Sequence, residues 1–165
     1  MNNCALCPAS RTDTEALVQI LHDADESDAR IRAALNDDAL HSYAVYENEA
    51  LVGAAVVCWA VMEAADVSEL VLLAVAPARR GEGIGKWIIA VLISEARRCS
   101  VRVMQVGTGN FSLDNIAFYQ KCGFRMSHVR RGYFDDVDPP EVWQGIKLRD
   151  MIVFDYDLTS EVTEL

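Results

Sequence analysis

The stretch ELVLLAVAPARRGEGIGK, residues 69–86, decides the fold of this chain. Its first part is almost continuously aliphatic and β-branched, which is typical of a central strand buried on both faces, and we predict that strand at Val67–Val75. Pro77 ends the strand because proline has no N–H for the ladder. Glycines then stand at positions 81, 83 and 85 between basic residues, and a long apolar helix is predicted at residues 83–98.

The glycine-rich turn has the composition of an anion site at a helix N-terminus. Free N–H groups point outward there, the helix dipole favours negative charge, and glycine permits close approach. Spacing excludes a P-loop, because Trp87 stands where that motif has Ser or Thr, and the alternate glycines do not fit a G-x-G-x-x-G dinucleotide motif. From these residues alone, an anion site and a plain tight turn between strand and helix are equally open.

The remaining sequence alternates strand and helix signals, which predicts one mixed α/β domain over residues 1–165. A T-x-x-E capping box at residues 12–15 precedes apolar residues at helical spacing. Residues 151–158 predict a strand that closes the sheet with Ile152, Phe154 and Tyr156 on one face. Further helices are predicted at residues 28–35 and 113–122, strands at 42–46 and 51–59 (an antiparallel hairpin), 101–106 and 124–134, a turn at 107–112, and a long loop at 135–150.

The composition favours a globular protein without a nucleic-acid or membrane role. Of the 165 residues, 52% are hydrophobic, and the formal net charge of −10 repels nucleic-acid phosphates. The longest apolar run, residues 50–62, is interrupted by Gly53 and is too short for a bilayer. The N-terminal residues lack a signal-peptide pattern, so we expect a soluble, cytoplasmic protein.

Cysteine and histidine positions indicate neither a disulfide framework nor a metal site. The five cysteines are an odd number, and Cys4 and Cys7 form a lone C-x-x-C, which we interpret as two ordinary thiols at a chain end. The three histidines are scattered, and none stands at ligand spacing from that pair. We therefore expect no bound metal.

Two segments together resemble the GNAT superfamily of N-acetyltransferases. Residues 69–85 resemble its acetyl-CoA-binding segment, in which a strand ending L-x-V-x-P leads into R/Q-x-x-G-x-G/A and a helix. Residues 115–124, NIAFYQKCGF, resemble its second hallmark, in which a Phe–Tyr pair precedes a Gly–Phe pair. Both occur in the family's order with a strand between them. The resemblance implies the GNAT fold, a mixed, mostly antiparallel sheet of about six or seven strands flanked by helices.

The resemblance also implies acetyl-CoA as the co-substrate, together with the residues that bind it. GNAT enzymes bind the pyrophosphate of coenzyme A through backbone N–H groups of the glycine turn, and they pair the preceding strand with pantetheine. Asn115 would contact the cofactor arm with its side chain. The pyrophosphate residues carried over are Arg80, Gly81, Gly83, Ile84, Gly85 and Lys86, and the pantetheine residues are Leu73, Ala74 and Val75.

Two catalytic side chains are implied by the same resemblance. Direct transfer to an amine needs a base for the ammonium proton and an acid for the leaving thiolate. Tyr119 stands at the family's acid position; alternatively, it is an aromatic that packs its helix on the sheet. Glu69 stands where many members have a general base, often acting through water. Alternatively, Glu69 is an exposed acid at a strand start and a water chain is the base.

The amine acceptor is less defined by the sequence. HVRRGYF, residues 128–134, is similar to a segment of ribosomal-protein N-terminal acetyltransferases, but Gln105 stands where those enzymes tend to have glutamate. We favour a small-molecule primary amine, with a peptide or protein N-terminus or a non-catalytic acyl-CoA-binding module as alternatives. Relatives are often dimers, so a homodimer is also expected. The family shapes its acceptor site with the loop at 135–150, whose acids could attract a cationic amine: Asp135, Asp136, Asp138 and Glu141.

Overall fold

The computed structural model describes residues 4–59 and 66–159. The helices are α1 (Thr14–Leu21), α2 (Asp28–Asn36), α3 (Ile84–Arg98) and α4 (Leu113–Lys121). The strands are β1 (Cys4–Pro8), β2 (His41–Glu47), β3 (Ala50–Cys58), β4 (Val67–Val75), β5 (Val103–Gly109), β6 (Arg125–Arg130), β7 (Val142–Trp143), β8 (Ile146–Lys147) and β9 (Met151–Asp157).

Seven of these strands form one sheet in the order β1-β2-β3-β4-β5-β9-β6, and β7 and β8 form a separate hairpin. Neighbouring strands of the sheet are antiparallel except β4 and β5, which are parallel and are connected through α3. The predicted mixed, mostly antiparallel sheet flanked by helices is therefore confirmed. The closing strand β9 lies between β5 and β6, so β6 rather than β9 is at the edge.

The sheet separates two apolar layers. On one face α3 and α4 pack through a core that includes Leu70 and Phe154, and on the other face α1 and α2 pack through Leu17 and Ile31. Full burial of such a side chain is worth about 1.5–3 kcal/mol, which holds both helical layers against the sheet. Among the described residues, no helix is both long and apolar enough to cross a membrane.

A β-bulge at Val71 divides β4 into two parts. Val57 pairs with Leu70 and Val56 pairs with Leu72, so Val71 has no partner on β3. Leu70 contributes to the core under α3, whereas Leu72 packs against the core under α1. The prediction of a strand buried on both faces along its length is wrong at Val71, which is 37% exposed because the bulge turns it out of both layers.

The two parallel strands separate soon after they begin to pair. Their last paired residues are Leu70 and Val106. Beyond these, β5 continues to Gly109 beside β9, and β4 continues to Val75 beside β3. We call the resulting gap, between residues 71–75 and 107–109, the β4–β5 opening. It lies at the C-terminal ends of parallel strands, which is where open α/β sheets bind ligands.

The start of α1 differs from the prediction. The Ser10 N–H donates to the Asp13 carboxylate at 3.0 Å, and the Asp13 N–H donates to the Ser10 carbonyl at 3.0 Å. Ser10 and Asp13 thus close a 3-10 turn at Arg11–Asp13 that leads into α1. The predicted box at residues 12–15 is wrong because the Glu15 carboxylate instead accepts from Arg32 of α2 at 2.6 Å.

Strand boundaries after α3 also differ. The predicted strand at residues 101–106 begins two residues later, because the Val101 N–H still donates to the Ala96 carbonyl of α3 at 3.0 Å. Gly107 lies in β5 rather than in the predicted turn, and a Cβ on it would stand 2.4 Å from the Met151 sulfur of β9. The strand predicted at 124–134 ends at Arg130, where a turn replaces the ladder.

The sequence pattern predicts neither β1 nor the β7–β8 hairpin. Cys4 and Cys7 are free thiols in β1, which pairs with β2 at the edge of the sheet. The hairpin lies inside the predicted long loop and turns through Gln144 and Gly145, both at positive φ, as a two-residue hairpin turn requires. Strands of five and two residues are too short to show a periodicity.

Candidate active site

The turn between β4 and α3 leaves backbone N–H groups free at the start of the helix. After a 3-10 turn at Pro77–Arg79, Gly81 and Gly83 have φ of +80° and +85°. Gly83 caps α3, and the Trp87 N–H donates to its carbonyl at 3.0 Å. The N–H groups of residues 84–86 therefore precede the intrahelical bonds, and together with the helix dipole they favour an anion. We call the N–H groups of residues 81–86 the anion cradle.

The glycines of the cradle have two different roles. A Cβ on Gly81 or on Gly83 would meet no heavy atom within 4 Å, so a ligand has room at both positions. A Cβ on Gly85 would stand 3.2 Å from the Phe118 ring and 3.6 Å from Val75. The first two glycines thus shape the anion cradle, whereas Gly85 lets α4 pack closely against the start of α3 and the end of β4.

The cradle follows directly from the β4 side of the opening. Leu73, Ala74 and Val75 form that side, beyond the last pair with β5. On the other side α4 begins near the end of β5, where Asn115 Nδ2 donates to Thr108 Oγ1 at 3.4 Å. The residues predicted for the cofactor thus surround one opening.

Tyr119 lies on the inner side of α4 and is only 8% exposed. Its ring contacts Phe118 and Phe124 edge-on, with centroids 5.3 and 5.9 Å away, and is tilted against Phe154. Among the described residues its hydroxyl has no hydrogen-bond partner. Burial, and to a lesser degree the Cys122 thiol, raises the pKa of this hydroxyl far above its ordinary value, so the group stays protonated and able to donate.

Glu69 lies on the other face of the sheet. Its neighbour Leu70 belongs to the core under α3, and successive residues of a strand point to opposite faces. Glu69 pairs with Gln105 one position before the last β4–β5 pair, so it borders the opening. Its carboxylate is 3.9 Å from Nη1 of Arg130, and its side chain is 25% exposed. Tyr119 and Glu69 therefore lie on opposite faces of the sheet, and Glu69 borders the opening.

Comparison with known proteins places these features in a family. The profile of the acetyltransferase (GNAT) family matches residues 9–124, which is more than half of the chain. The chain belongs to the GNAT acetyltransferase family. This confirms the resemblance found in the two sequence segments. The uncharacterized N-acetyltransferase YvbK of Bacillus subtilis is 32% identical over 91 residues, which span 54% of this chain and 59% of that relative.

Solved GNAT structures share the whole fold. A GNAT family acetyltransferase from Elizabethkingia anophelis, crystallised with acetyl-CoA, is 27% identical with a TM-score of 0.83, covering 95% of this chain and 99% of that one. A Bacillus subtilis acetyltransferase in complex with CoA is 25% identical with a TM-score of 0.81 and the same coverage. The ligands of both relatives carry a pyrophosphate, an anion of the class that free N–H groups at a helix N-terminus favour.

The loop between β6 and β9 meets the α1–α2 connection of this GNAT fold. Burial, followed by the nearby Glu26 carboxylate, raises the pKa of Glu141. Asp135 instead forms an ion pair within its own loop, where its Oδ1 accepts from Arg149 Nε at 3.1 Å. Of the four acids predicted for this loop, Glu141 is the one held near the α1–α2 connection. The remaining two are exposed: Asp136 and Asp138.

Sequence reasoning missed a polar row beside Glu69 on this GNAT sheet. Gln105 Nε2 donates to Asp155 Oδ1 at 2.9 Å across β5 and β9. Asp155 lies between the apolar residues Phe154 and Tyr156 of β9, so the sequence pattern places its side chain on the opposite face of the sheet from theirs. The strand order, which the sequence does not show, brings Asp155 beside Gln105. No group of three or more His, Cys, Asp or Glu suited to a metal occurs among residues 4–59 and 66–159.

A cavity at the start of α4 was also missed. Its volume is about 240 Å³, and Trp143 of the β7–β8 hairpin forms one wall. No sequence signal identifies this residue, because the hairpin itself is too short to predict. The other lining residues are Phe111, Ser112, Leu113, Asp114 and Asn115.

Proposed function

We propose that this protein transfers the acetyl group of acetyl-CoA directly to the primary amine of a small molecule. The observation that carries the proposal is the β4–β5 opening, which begins after the Leu70–Val106 pair and leads to the anion cradle. Tyr119 and Glu69 flank it from opposite faces. Family membership supports acetyl transfer as the reaction class.

The donor lies along the opening. The N–H groups of the anion cradle bind its pyrophosphate, with contributions from Arg80, Gly81, Gly83, Ile84, Gly85 and Lys86. Main-chain groups of Leu73, Ala74 and Val75 pair with pantetheine, because this part of β4 lies beyond its pairing with β5. The Asn115 amide, now 3.4 Å from Thr108 Oγ1, binds the cofactor arm.

Tyr119 acts toward the leaving thiolate. Since burial raises the pKa of its hydroxyl, full proton transfer to a thiolate is uphill, and the hydroxyl acts first as a hydrogen-bond donor to the developing charge. Its packing against Phe118, Phe124 and Phe154 holds the hydroxyl in place. The packing role and the catalytic role are therefore compatible.

Glu69 removes the proton of the amine, directly or through water. An amine with a pKa near about 10 is protonated at neutral pH and has no lone pair to attack with. Arg130 lies 3.9 Å from the Glu69 carboxylate, and this ion pair limits the movement of the carboxylate.

The acceptor is a small cationic amine. Where the long loop meets α1–α2, three carboxylates (Glu141, Glu26 and Asp25) outnumber one cation, Arg30, which favours a cationic acceptor. Arg130 of the HVRRGYF segment pairs with Glu69, and Gln105 donates to Asp155. Because both side chains already have partners within the protein, we do not assign either of them to peptide binding. A peptide or protein N-terminus is the alternative that the acceptor assay tests.

Two further expectations belong to this proposal. A cytoplasmic location is supported by five free thiols, which suit a reducing compartment. A homodimer is supported by β6, an edge strand on which Met126 and Val129 are 56% and 51% exposed.

An amine panel tests the function. Free thiol release from acetyl-CoA is followed with monoamines, polyamines, aromatic amines and short peptides, and products are confirmed by mass spectrometry. We expect one small amine to accelerate thiol release, and Tyr119→Phe should lose that acceleration. Tyr43→Phe is the control and should keep it. The Tyr43 hydroxyl accepts from Trp59 Nε1 at 3.0 Å, and Tyr43 lies in β2, next to the edge strand β1. Coenzyme A binding without transfer to any amine or peptide would favour the non-catalytic module.

A further inference from the structure

An acidic residue stands inside the anion cradle. Glu82 lies between Gly81 and Gly83, where a carboxylate opposes a bound phosphate. Glu47, at the end of β2, brings a second carboxylate to the same turn, and its side chain is only 15% exposed. Two carboxylates therefore meet at the turn that carries the anion cradle.

Arg79 binds both carboxylates. Its Nη2 donates to Glu47 Oε2 at 2.5 Å and to Glu82 Oε2 at 2.7 Å, and its Nε donates to Glu82 Oε2 at 2.9 Å. The guanidinium holds the pKa of Glu82 below its ordinary range, so Glu82 is ionised at neutral pH. The pairing also joins the turn to the end of β2, far away in the sequence.

The other cations of the turn do not replace Arg79. Arg80 is paired with Asp23 of the α1–α2 connection and donates to the Val75 carbonyl at 3.3 Å. Lys86 has no ion pair within the described part of the chain. Anion binding at the cradle depends on backbone N–H groups, whose field an unpaired carboxylate would oppose.

We propose that Arg79 is a positioning residue for coenzyme A, which pairs Glu47 and Glu82 so that neither carboxylate opposes the pyrophosphate at the anion cradle. The inference rests on the proposed donor site and concerns how this chain tolerates an acid within it. Arg79 acts on the cofactor through Glu82: it neutralises the charge and holds the side chain back from the N–H groups.

Calorimetric titration with coenzyme A tests the proposal at low and high salt. Arg79→Met should weaken binding about tenfold at low salt, and the loss should shrink at about 1 M salt because screening reduces the repulsion. Glu82→Gln alone should bind at least as tightly as the parent protein. The double variant should recover most of the affinity lost in Arg79→Met, since the opposing charge is gone.

Arg98→Met is the matched control. Arg98 pairs with Glu95 at 2.7 Å with the same i, i+3 spacing as Arg79 and Glu82, but at the other end of α3. It should leave coenzyme A binding unchanged. If loss of a surface ion pair only destabilised the fold, both arginine variants would have lower melting temperatures. The salt-dependent loss of affinity in Arg79→Met and its recovery in the double variant would then be absent.

Three outcomes would overturn the inference. Parent-like binding by Arg79→Met would show that the pairing does not matter, and equal weakness of the single and double variants would mean that Arg79 contacts the phosphates itself. If Arg79→Met does not fold, weakened binding by Glu82→Gln alone contradicts the proposal. Failure of the parent protein to bind coenzyme A would instead contradict the proposed function.

Discussion

Replacing Gly83 by alanine changes the backbone of the anion cradle without filling it. Gly83 has φ of +85°, a left-handed conformation that costs an L-residue about 1–2 kcal/mol. An added Cβ meets no heavy atom within 4 Å, so strain is the whole cost. We expect the free variant to relax toward negative φ, which turns the N–H groups away, and coenzyme A then has to restore the strained turn. Affinity should fall about 5- to 30-fold, the factor that corresponds to 1–2 kcal/mol.

Gly145→Ala provides the matched control for strain. Gly145 has φ of +80° and also has no heavy atom within 4 Å of an added Cβ, but it lies in the β7–β8 turn. The same strain should lower its melting temperature by about 2–4 °C per kcal/mol, with no change in affinity. Calorimetric titration with coenzyme A and thermal unfolding measure both quantities. Parent-like affinity in Gly83→Ala, or an equal loss in Gly145→Ala, would refute the role of the cradle.

Three further predictions concern the catalytic groups. Tyr119→Phe should lower kcat at least about 100-fold while the Kd of acetyl-CoA is unchanged, and an unchanged kcat would remove Tyr119 from the mechanism. Glu69→Gln should abolish the acidic limb of the pH–rate profile, so an identical profile would exclude Glu69 as the base. Because the folded-state pKa of Tyr119 is raised, its stabilisation is complete below the unfolded value of about 10 and is lost as pH rises toward the folded value. Urea unfolding should therefore show the parent losing about 1.4 kcal/mol per pH unit relative to Tyr119→Phe above about pH 10, and parallel curves would contradict this.

Local patterns predict the part of the fold around the glycine turn. The bounds Val67–Val75 follow from a nearly continuous apolar run that Pro77 ends, and α3 follows from the glycines and the apolar residues after them. β1 and the β7–β8 hairpin do not follow, because strands of five and two residues form only through their partners. The position of β9 inside the sheet depends on pairing over long distances in the same way.

The site divides along the same lines. The cradle glycines and Tyr119 lie in segments whose pattern is local, so the sequence identifies them as candidates. The approach of Arg130 to Glu69 depends on the strand order β4-β5-β9-β6, and the pairing of Arg79 with Glu47 depends on where the β2–β3 hairpin ends. Such contacts between distant segments have no periodicity in the sequence. They appear only once the sheet is assembled.

A crystal structure of the protein with acetyl-CoA would show where the donor binds. We expect the pyrophosphate within hydrogen-bond distance of the N–H groups of residues 81–86. Pantetheine should lie between β4 and β5 along Leu73–Val75, with the thioester sulfur within reach of the Tyr119 hydroxyl. Acetyl-CoA bound away from the β4–β5 opening, or bound there with its sulfur remote from Tyr119, would contradict it.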